Sequence, residues 1–160
     1  MRDVRLQELR SHRLLTLAAV ASGVMALDLV TKAWAARTLA GRTVEIIPVV
    51  LSFTFTENTG AAFSFFQDAG AFLSIAAFVA LGLIVATVWT PRPLAEVIGL
   101  GLIAGGAAGN LIDRLARGDG TFDGAVIDWI RFPNFPVFNL ADTAITLGVA
   151  TILIAAWRNR

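Results

Sequence analysis

The chain has 160 residues, 56% of them hydrophobic and 16% charged, a balance that excludes an ordinary soluble domain and points to an integral membrane protein. Its formal net charge is +1, and the basic residues are spread over loops and ends rather than gathered on one surface, which sets nucleic-acid binding aside. With no cysteine there is no disulfide framework, thiolate nucleophile or cysteine-based zinc site, and the lone His12 lies in the charged N-terminal tail, so neither a metal nor a cofactor is expected.

A membrane span needs about 20 mostly apolar residues. The first candidate, Leu14 to Leu39, follows a tail carrying Arg2, Arg5, Arg10 and Arg13. It is too long for the apolar region of a signal peptide, and Asp28 and Lys32 interrupt it, so a span is expected despite the cleavage-like Ala33-Trp34-Ala35. Asp28 and Lys32 are spaced i,i+4 and share a helix face, where they can form an ion pair that aids packing or take part in chemistry.

In the following loop Leu51, Phe53 and Phe55 alternate with Ser52, Thr54 and Thr56, a strand pattern, and a small sheet is expected over about 44–66. Asn58-Thr59-Gly60 reads as a turn, because Asn and Gly tolerate positive φ. The Asn58 carboxamide could also hold a peptide carbonyl. A second span is expected over Ala69 to Thr90 and a third over Leu94 to Leu115, joined by a short turn with Arg92. Gly101, Gly105 and Gly109 recur every fourth residue in the third span and predict close helix packing. Without a strand-turn-helix context they do not read as a dinucleotide site. Asn110, Asp113 and Arg114 continue that face at i, i+3 and i+4.

Arg117 to Gly124 reads as a glycine-rich loop in which Asp119 and Asp123 are solvated charges. Asp128 then sits in the strand-like Val126-Ile127-Asp128-Trp129-Ile130, an apolar setting that raises a carboxyl pKa. The fourth span is expected over Phe135 to Trp157, with Pro133 and Pro136 breaking the chain at its start. Asn139 and Asp142 have the i, i+3 spacing of an N-cap and N3 pair, so capping alone accounts for both. Capping does not, however, require a second acid such as Asp128 nearby.

By the positive-inside tendency the N-terminus, the Arg92 turn and the C-terminus with Arg158 and Arg160 are cytoplasmic. Asp28 lies 14 residues past Leu14, or about 21 Å up a hydrocarbon core of about 30 Å. Lys32, Asn110, Asp113, Arg114, Asn139 and Asp142 then gather at the same outer side. Intramembrane ionisable groups mark function, and these would line one outward-facing cavity. Two carboxylates in a shared wet pocket suggest acid/base chemistry, since only one ionises comfortably; one activates water and the other donates a proton. Asp142, near a helix N-terminus, suits the ionised role, and Asp128 the protonated one. A small proton-coupled transporter is the alternative, although it would place polar residues at several depths and the inner half of each span is nearly free of them. A structural membrane subunit whose charges only specify packing is the other.

Five stretches together carry a resemblance: Asp28-Leu-Val-Thr-Lys32, Phe55-Thr-Glu-Asn58-Thr-Gly60-Ala-Ala-Phe63-Ser64, Gly105-Gly-Ala-Ala-Gly109-Asn110-Leu-Ile-Asp113-Arg114, Val126-Ile-Asp128-Trp129 and Phe138-Asn139-Leu-Ala-Asp142. In this order the chain resembles the bacterial lipoprotein signal peptidases, or signal peptidase II. The resemblance implies a membrane α-helical fold of four transmembrane helices with a small extracytoplasmic antiparallel β-sheet. It implies an intramembrane aspartic endopeptidase that cleaves diacylglyceryl-modified prolipoproteins before the lipidated cysteine, in the bacterial cytoplasmic membrane. The catalytic pair then falls on Asp128 and Asp142, and supporting roles fall on Asn58, Gly60, Asn110, Arg114 and Asn139, with Asp113, Asp28 and Lys32 beside them. The implied partners are the prolipoprotein substrate and membrane lipid, and a monomer is expected. Arg117 to Gly124 is longer, and the segment from Asp128 to Asn139 shorter, than that family leads one to expect.

Overall fold

The computed structural model describes residues 2–60, 69–118 and 124–158. Helix α1 (Arg2–Thr38) extends the first apolar span back through the basic tail, with Arg10–Thr38 as its membrane-length part. Helices α2 (Ala69–Thr87), α3 (Leu94–Ala116) and α4 (Leu140–Arg158) are likewise long and apolar enough to cross a membrane. Between α2 and α3 the helix stops at Thr87, short of Thr90, because Pro91 and Pro93 bias the residues before them away from helical backbone. Pro93 itself is the N-cap of α3, with φ −56°.

The start of the fourth span needs correction. Phe135 to Phe138 are apolar enough to read as membrane helix, yet α4 begins only at Leu140. Phe138 instead pairs with strand backbone: its N–H donates to the Ile130 carbonyl at 3.0 Å, and its carbonyl accepts from Ile130 N at 2.8 Å. Its ring stacks on Phe132, with centroids 5.9 Å apart, and meets the Phe135 ring edge-on.

The bundle is apolar outside and finely packed inside. Large side chains such as Phe72, Leu83, Val85 and Leu153 are exposed, whereas the interior is built of Ala104, Ala107, Ala141, Ala144 and glycines. In lipid the hydrophobic effect does not drive helices together, so association rests on close backbone approach and polar contacts. Helix α3 lies at the centre, packed on the other three. Its Gly101, Gly105 and Gly109 face α1, as their spacing predicts, and a Cβ on Gly105 would sit 2.5 Å from the Ala21 carbonyl oxygen. A second glycine face, Gly99 and Gly106, meets α4, where a Cβ on Gly106 would lie 2.5 Å from the Ala141 carbonyl oxygen.

That second contact has a measurable consequence, because Ala141 precedes Asp142. Gly106→Ala is expected to push α4 away from α3, lowering stability by about 1–3 kcal/mol. The accompanying shift of Asp142 should cost more activity than the loss of folded protein accounts for. Thermal unfolding in detergent beside turnover per folded molecule checks this.

Three strands form one antiparallel sheet in the order β1 (Thr43–Ile47), β2 (Leu51–Asn58), β3 (Val126–Arg131). The sheet expected over 44–66 is therefore wider in sequence: its third strand arrives from after α3, and residues 61–66 lie outside the described ones. Strand alternation gives β3 two faces. Ile127 and Trp129 pack on Ala35 of α1 and on Leu39 just past its end, while Val126 and Asp128 line a cavity. The rings of Trp34, Phe53 and Trp129 meet edge-on in pairs 4.9–6.0 Å apart and fasten the sheet to the end of α1.

Candidate active site

Asp128 and Asp142 both line a cavity of about 850 Å³ among α2, α3, α4 and β3. Its walls are largely apolar, with Leu73, Ala76, Ala77 and Ala80 of α2 on one side. Asn58, Asn110 and Arg114 join the two acids in supplying its polar groups.

Each carboxylate is held by asparagines. Asp128 is only 2% exposed; its Oδ2 accepts from Asn58 Nδ2 at 2.9 Å and its Oδ1 from Asn139 Nδ2 at 2.7 Å. Asp142 Oδ1 accepts from Asn110 Nδ2 at 2.8 Å, and its Oδ2 accepts from the Asn139 backbone N–H at 3.2 Å. The Asp142 N–H donates in return to Asn139 Oδ1 at 3.0 Å. Asn139 and Asp142 thus form the reciprocal capping arrangement their spacing predicts, and the same Asn139 side chain reaches Asp128. The same residue therefore caps α4 and touches Asp128, so the capping geometry does not exclude a role in the site.

The orientation of all three carboxamides is determined by what their oxygens accept. Asn58 Oδ1 accepts from Gly60 N at 3.1 Å, closing the turn read from the sequence and leaving its NH₂ to face Asp128. Asn110 Oδ1 accepts from Lys32 Nζ at 2.8 Å and from Asn139 Nδ2 at 3.1 Å, which turns its NH₂ to Asp142.

A buried charge network stands behind these amides. Lys32 and Asp28 are fully buried and paired at 2.6 Å, and Lys32 also lies 3.1 Å from Asp113 Oδ2. Asp28 Oδ1 accepts from Ala141 N at 3.0 Å, so an acid on α1 satisfies an otherwise orphaned N–H in the first turn of α4. Asp113 accepts from Ile127 N at 3.2 Å, which positions β3 one residue before Asp128, and from Arg117 Nε at 2.7 Å. The ion-pair reading of Asp28 and Lys32 therefore describes their geometry, with a direct link from Lys32 to Asn110 added. Arg114 does not pair with Asp113. It is buried, lines the cavity, donates to the Gly124 carbonyl at 3.4 Å and makes no ion pair among the described residues.

The asymmetry of the acids is electrostatic as well as geometric. Burial pushes the Asp128 carboxyl up from 3.8 to about 6; the Asn58 and Asn139 amides and the charge of Lys32 oppose the rise, and the charge of Asp142 adds to it. A protonated Asp128 beside a hydrogen-bonded Asp142 can give and take protons across a bound water.

Every candidate residue of the sequence reading lies at this end of the bundle or directly behind it. Asp119 and Asp123 lie outside the described residues. Two features were not read from the sequence: the Ala76, Ala77 and Ala80 wall, whose signal is a row of small residues in a helix otherwise rich in Phe, Leu, Ile and Val, and the α4-facing Gly106.

The profile of the family described as Signal peptidase (SPase) II matches residues 20–158. A lipoprotein signal peptidase of Mycolicibacterium smegmatis is 41% identical over 148 residues, 90% of this chain and 61% of that protein. The chain thus spans less than two thirds of that relative's length. One from Thermosynechococcus vestitus is 40% identical over 149 residues, 88% of this chain and 90% of that protein. Among solved structures, a bacterial membrane enzyme superposes with a TM-score of 0.78 at 32% identity, covering 91% of this chain and 94% of the other. The matched range contains both aspartates and all the residues that hold them.

Proposed function

The chain belongs to the signal peptidase II family, and we propose that it is an aspartic endopeptidase that removes the signal peptide from diacylglyceryl-modified prolipoproteins, cleaving before the lipidated cysteine. One observation carries this reading: two carboxylates, each fixed by asparagine N–H groups, share a largely apolar cavity of about 850 Å³. The names of the relatives support the substrate class. The basic N-terminal tail, Arg92 and Arg158 support a reading in which both termini face the cytoplasm and the site opens near the outer face of a bacterial inner membrane.

In the proposed mechanism Asp142 takes a proton from a water held between the acids as the water oxygen bonds to the scissile carbonyl carbon. Asp128 gives its proton to the carbonyl oxygen. On collapse, the C–N bond breaks, the leaving nitrogen receives the proton from Asp142, and the re-forming carboxyl returns one to Asp128. Both acids end as they began, and no covalent enzyme intermediate forms. In vitro cleavage of a diacylated prolipoprotein by the wild type and the double variant Asp128→Asn, Asp142→Asn tests this reading. Normal processing by the double variant would leave only a structural role for the acids.

Arg114 is assigned the developing negative charge on the carbonyl oxygen, together with Asn110. Arg114→Ala is expected to lower kcat per folded molecule by about 10²-fold, measured beside the folded yield in detergent. A fall in yield with unchanged kcat would mean that Arg114 serves only to hold the Gly124 segment. The α2 wall is assigned to the substrate's apolar part: Ala77→Phe should fill the cavity and raise KM while changing kcat little, as substrate titrations would reveal.

A further inference from the structure

The β1–β2 hairpin carries an apolar tip that the site does not use. Val44, Ile46, Ile47, Val49 and Val50 are all exposed, Val49 by 85%. They fall within seven consecutive residues, a density that a hairpin in water does not need. At the tip, the Val50 N–H closes a turn on the Ile47 carbonyl at 3.0 Å, and Val49 sits at φ +64°. That backbone conformation favours glycine or asparagine and is unfavourable for a β-branched residue. The turn bears the backbone cost of a valine at positive φ wherever the tip lies, and the almost fully exposed side chain adds a solvation cost that is removed only if it leaves water.

The depth of the hairpin follows from its attachments. Phe53 of β2 packs edge-on against Trp34, and Trp34 lies in the last turns of α1, where a partly exposed tryptophan marks the membrane–water boundary. Val44 pairs directly with Phe53, so it lies on the sheet face turned toward Trp34. Exposed Arg37 and Arg42 flank the base of the hairpin and match the charge of lipid phosphates. An apolar tip with basic flanks at the level of the helix ends has the pattern of an interfacial anchor.

We infer that the β1–β2 hairpin is a membrane anchor, its Ile46–Val50 tip inserted among the lipids of the leaflet bordering the sheet end of the bundle. Strand β2 runs from this tip to Asn58, which holds Asp128, so the anchor fixes the depth of the sheet edge that carries the site. The inference rests on the four spans and the hairpin, independently of the peptidase reading.

Because the chain contains no cysteine, Val49→Cys gives a unique attachment point for a nitroxide label. The protein is placed as single copies in phospholipid nanodiscs, and label collisions with oxygen, which enters lipid, are compared with those of a water-soluble nickel chelate. A label on Glu57→Cys, exposed near the end of β2 far from the tip, serves as reference. Oxygen collisions should dominate at position 49 and nickel collisions at position 57. Val50→Cys, outside the positive-φ position, should repeat the result for 49. Nickel accessibility at 49 and 50 equal to that at 57 would overturn the anchor, whether the tip then lies in water or awaits a protein partner.

Discussion

Asp128→Asn is expected to abolish prolipoprotein cleavage and, at the same time, to raise the thermal stability of the protein at pH 7. The loss of activity should be about 10³-fold or more, because a carboxamide can neither give the carbonyl oxygen a proton nor take it back. The stability gain has a separate origin. Burial disfavours the charge of the Asp128 carboxyl and pushes its pKa in the fold up to about 6, from 3.8 for an unperturbed carboxyl. Stability linked to its protonated form is fully present below 3.8 and is lost as pH rises through about 6. At about 1.4 kcal/mol per unit, the loss approaches about 3 kcal/mol by neutral pH. An asparagine does not titrate and escapes it. One of the donors now facing Asp128, from Asn58 or Asn139, would meet an NH₂ instead of an oxygen, returning about 1–2 kcal/mol. The variant should therefore be more stable than the wild type at pH 7 and no more stable at pH 4. Unfolding scans in detergent at the two pH values check the sign. In the wild type, kcat/KM should fall as pH rises through the upper apparent pKa of the pair, as Asp128 loses the proton it donates. A stability difference independent of pH would contradict the assignment of the proton to Asp128.

The features legible in the sequence are those that depend on local spacing or on length. Four apolar stretches gave the spans, the i, i+3 pair Asn139 and Asp142 gave the cap, Asn58-Thr59-Gly60 gave the turn, and the four-residue glycine period gave the α1-facing stripe. Contacts between distant segments left no comparable trace. Nothing periodic in the chain joins Asp28 to the Ala141 N–H, 113 residues away, or pairs Thr56 with Asp128 across the sheet. The start of α4 was misplaced for a related reason. Hydropathy counts Phe135 and Phe138 as membrane residues, but the Phe138 backbone is committed to Ile130 and its ring to Phe132. Apolarity reports that a side chain avoids water; it does not report whether lipid, sheet or cavity replaces the water.

Lys32→Met is expected to have the second large effect, on folding and catalysis together. Three oxygens surround the Lys32 ammonium: Asn110 Oδ1 accepts its hydrogen bond at 2.8 Å, and Asp28 Oδ2 at 2.6 Å and Asp113 Oδ2 at 3.1 Å form ion pairs with it. Removing it leaves two buried acids with less compensation, at a cost of about 3–5 kcal/mol. The damage spreads because Asp28 also caps α4 at Ala141 and Asp113 also holds Ile127, the two segments that carry Asp142 and Asp128. Catalysis should suffer through Asn110. Without the ammonium, only the 3.1 Å bond from Asn139 Nδ2 still holds its oxygen, so the carboxamide rotates more readily to present oxygen to Asp142 in place of its NH₂ group, and misplacement of this order costs about 10²-fold in rate. The two effects separate in the double variant Asp28→Asn, Lys32→Met, which removes one charge of each sign and should recover much of the lost stability. Its kcat per folded molecule should stay low, since nothing restores the bond to Asn110. Recovery of wild-type kcat along with stability would mean that Lys32 only neutralises its acids. A persistent kcat defect with KM unchanged would mean that a lysine on α1 orients a catalytic aspartate on α4 through one asparagine.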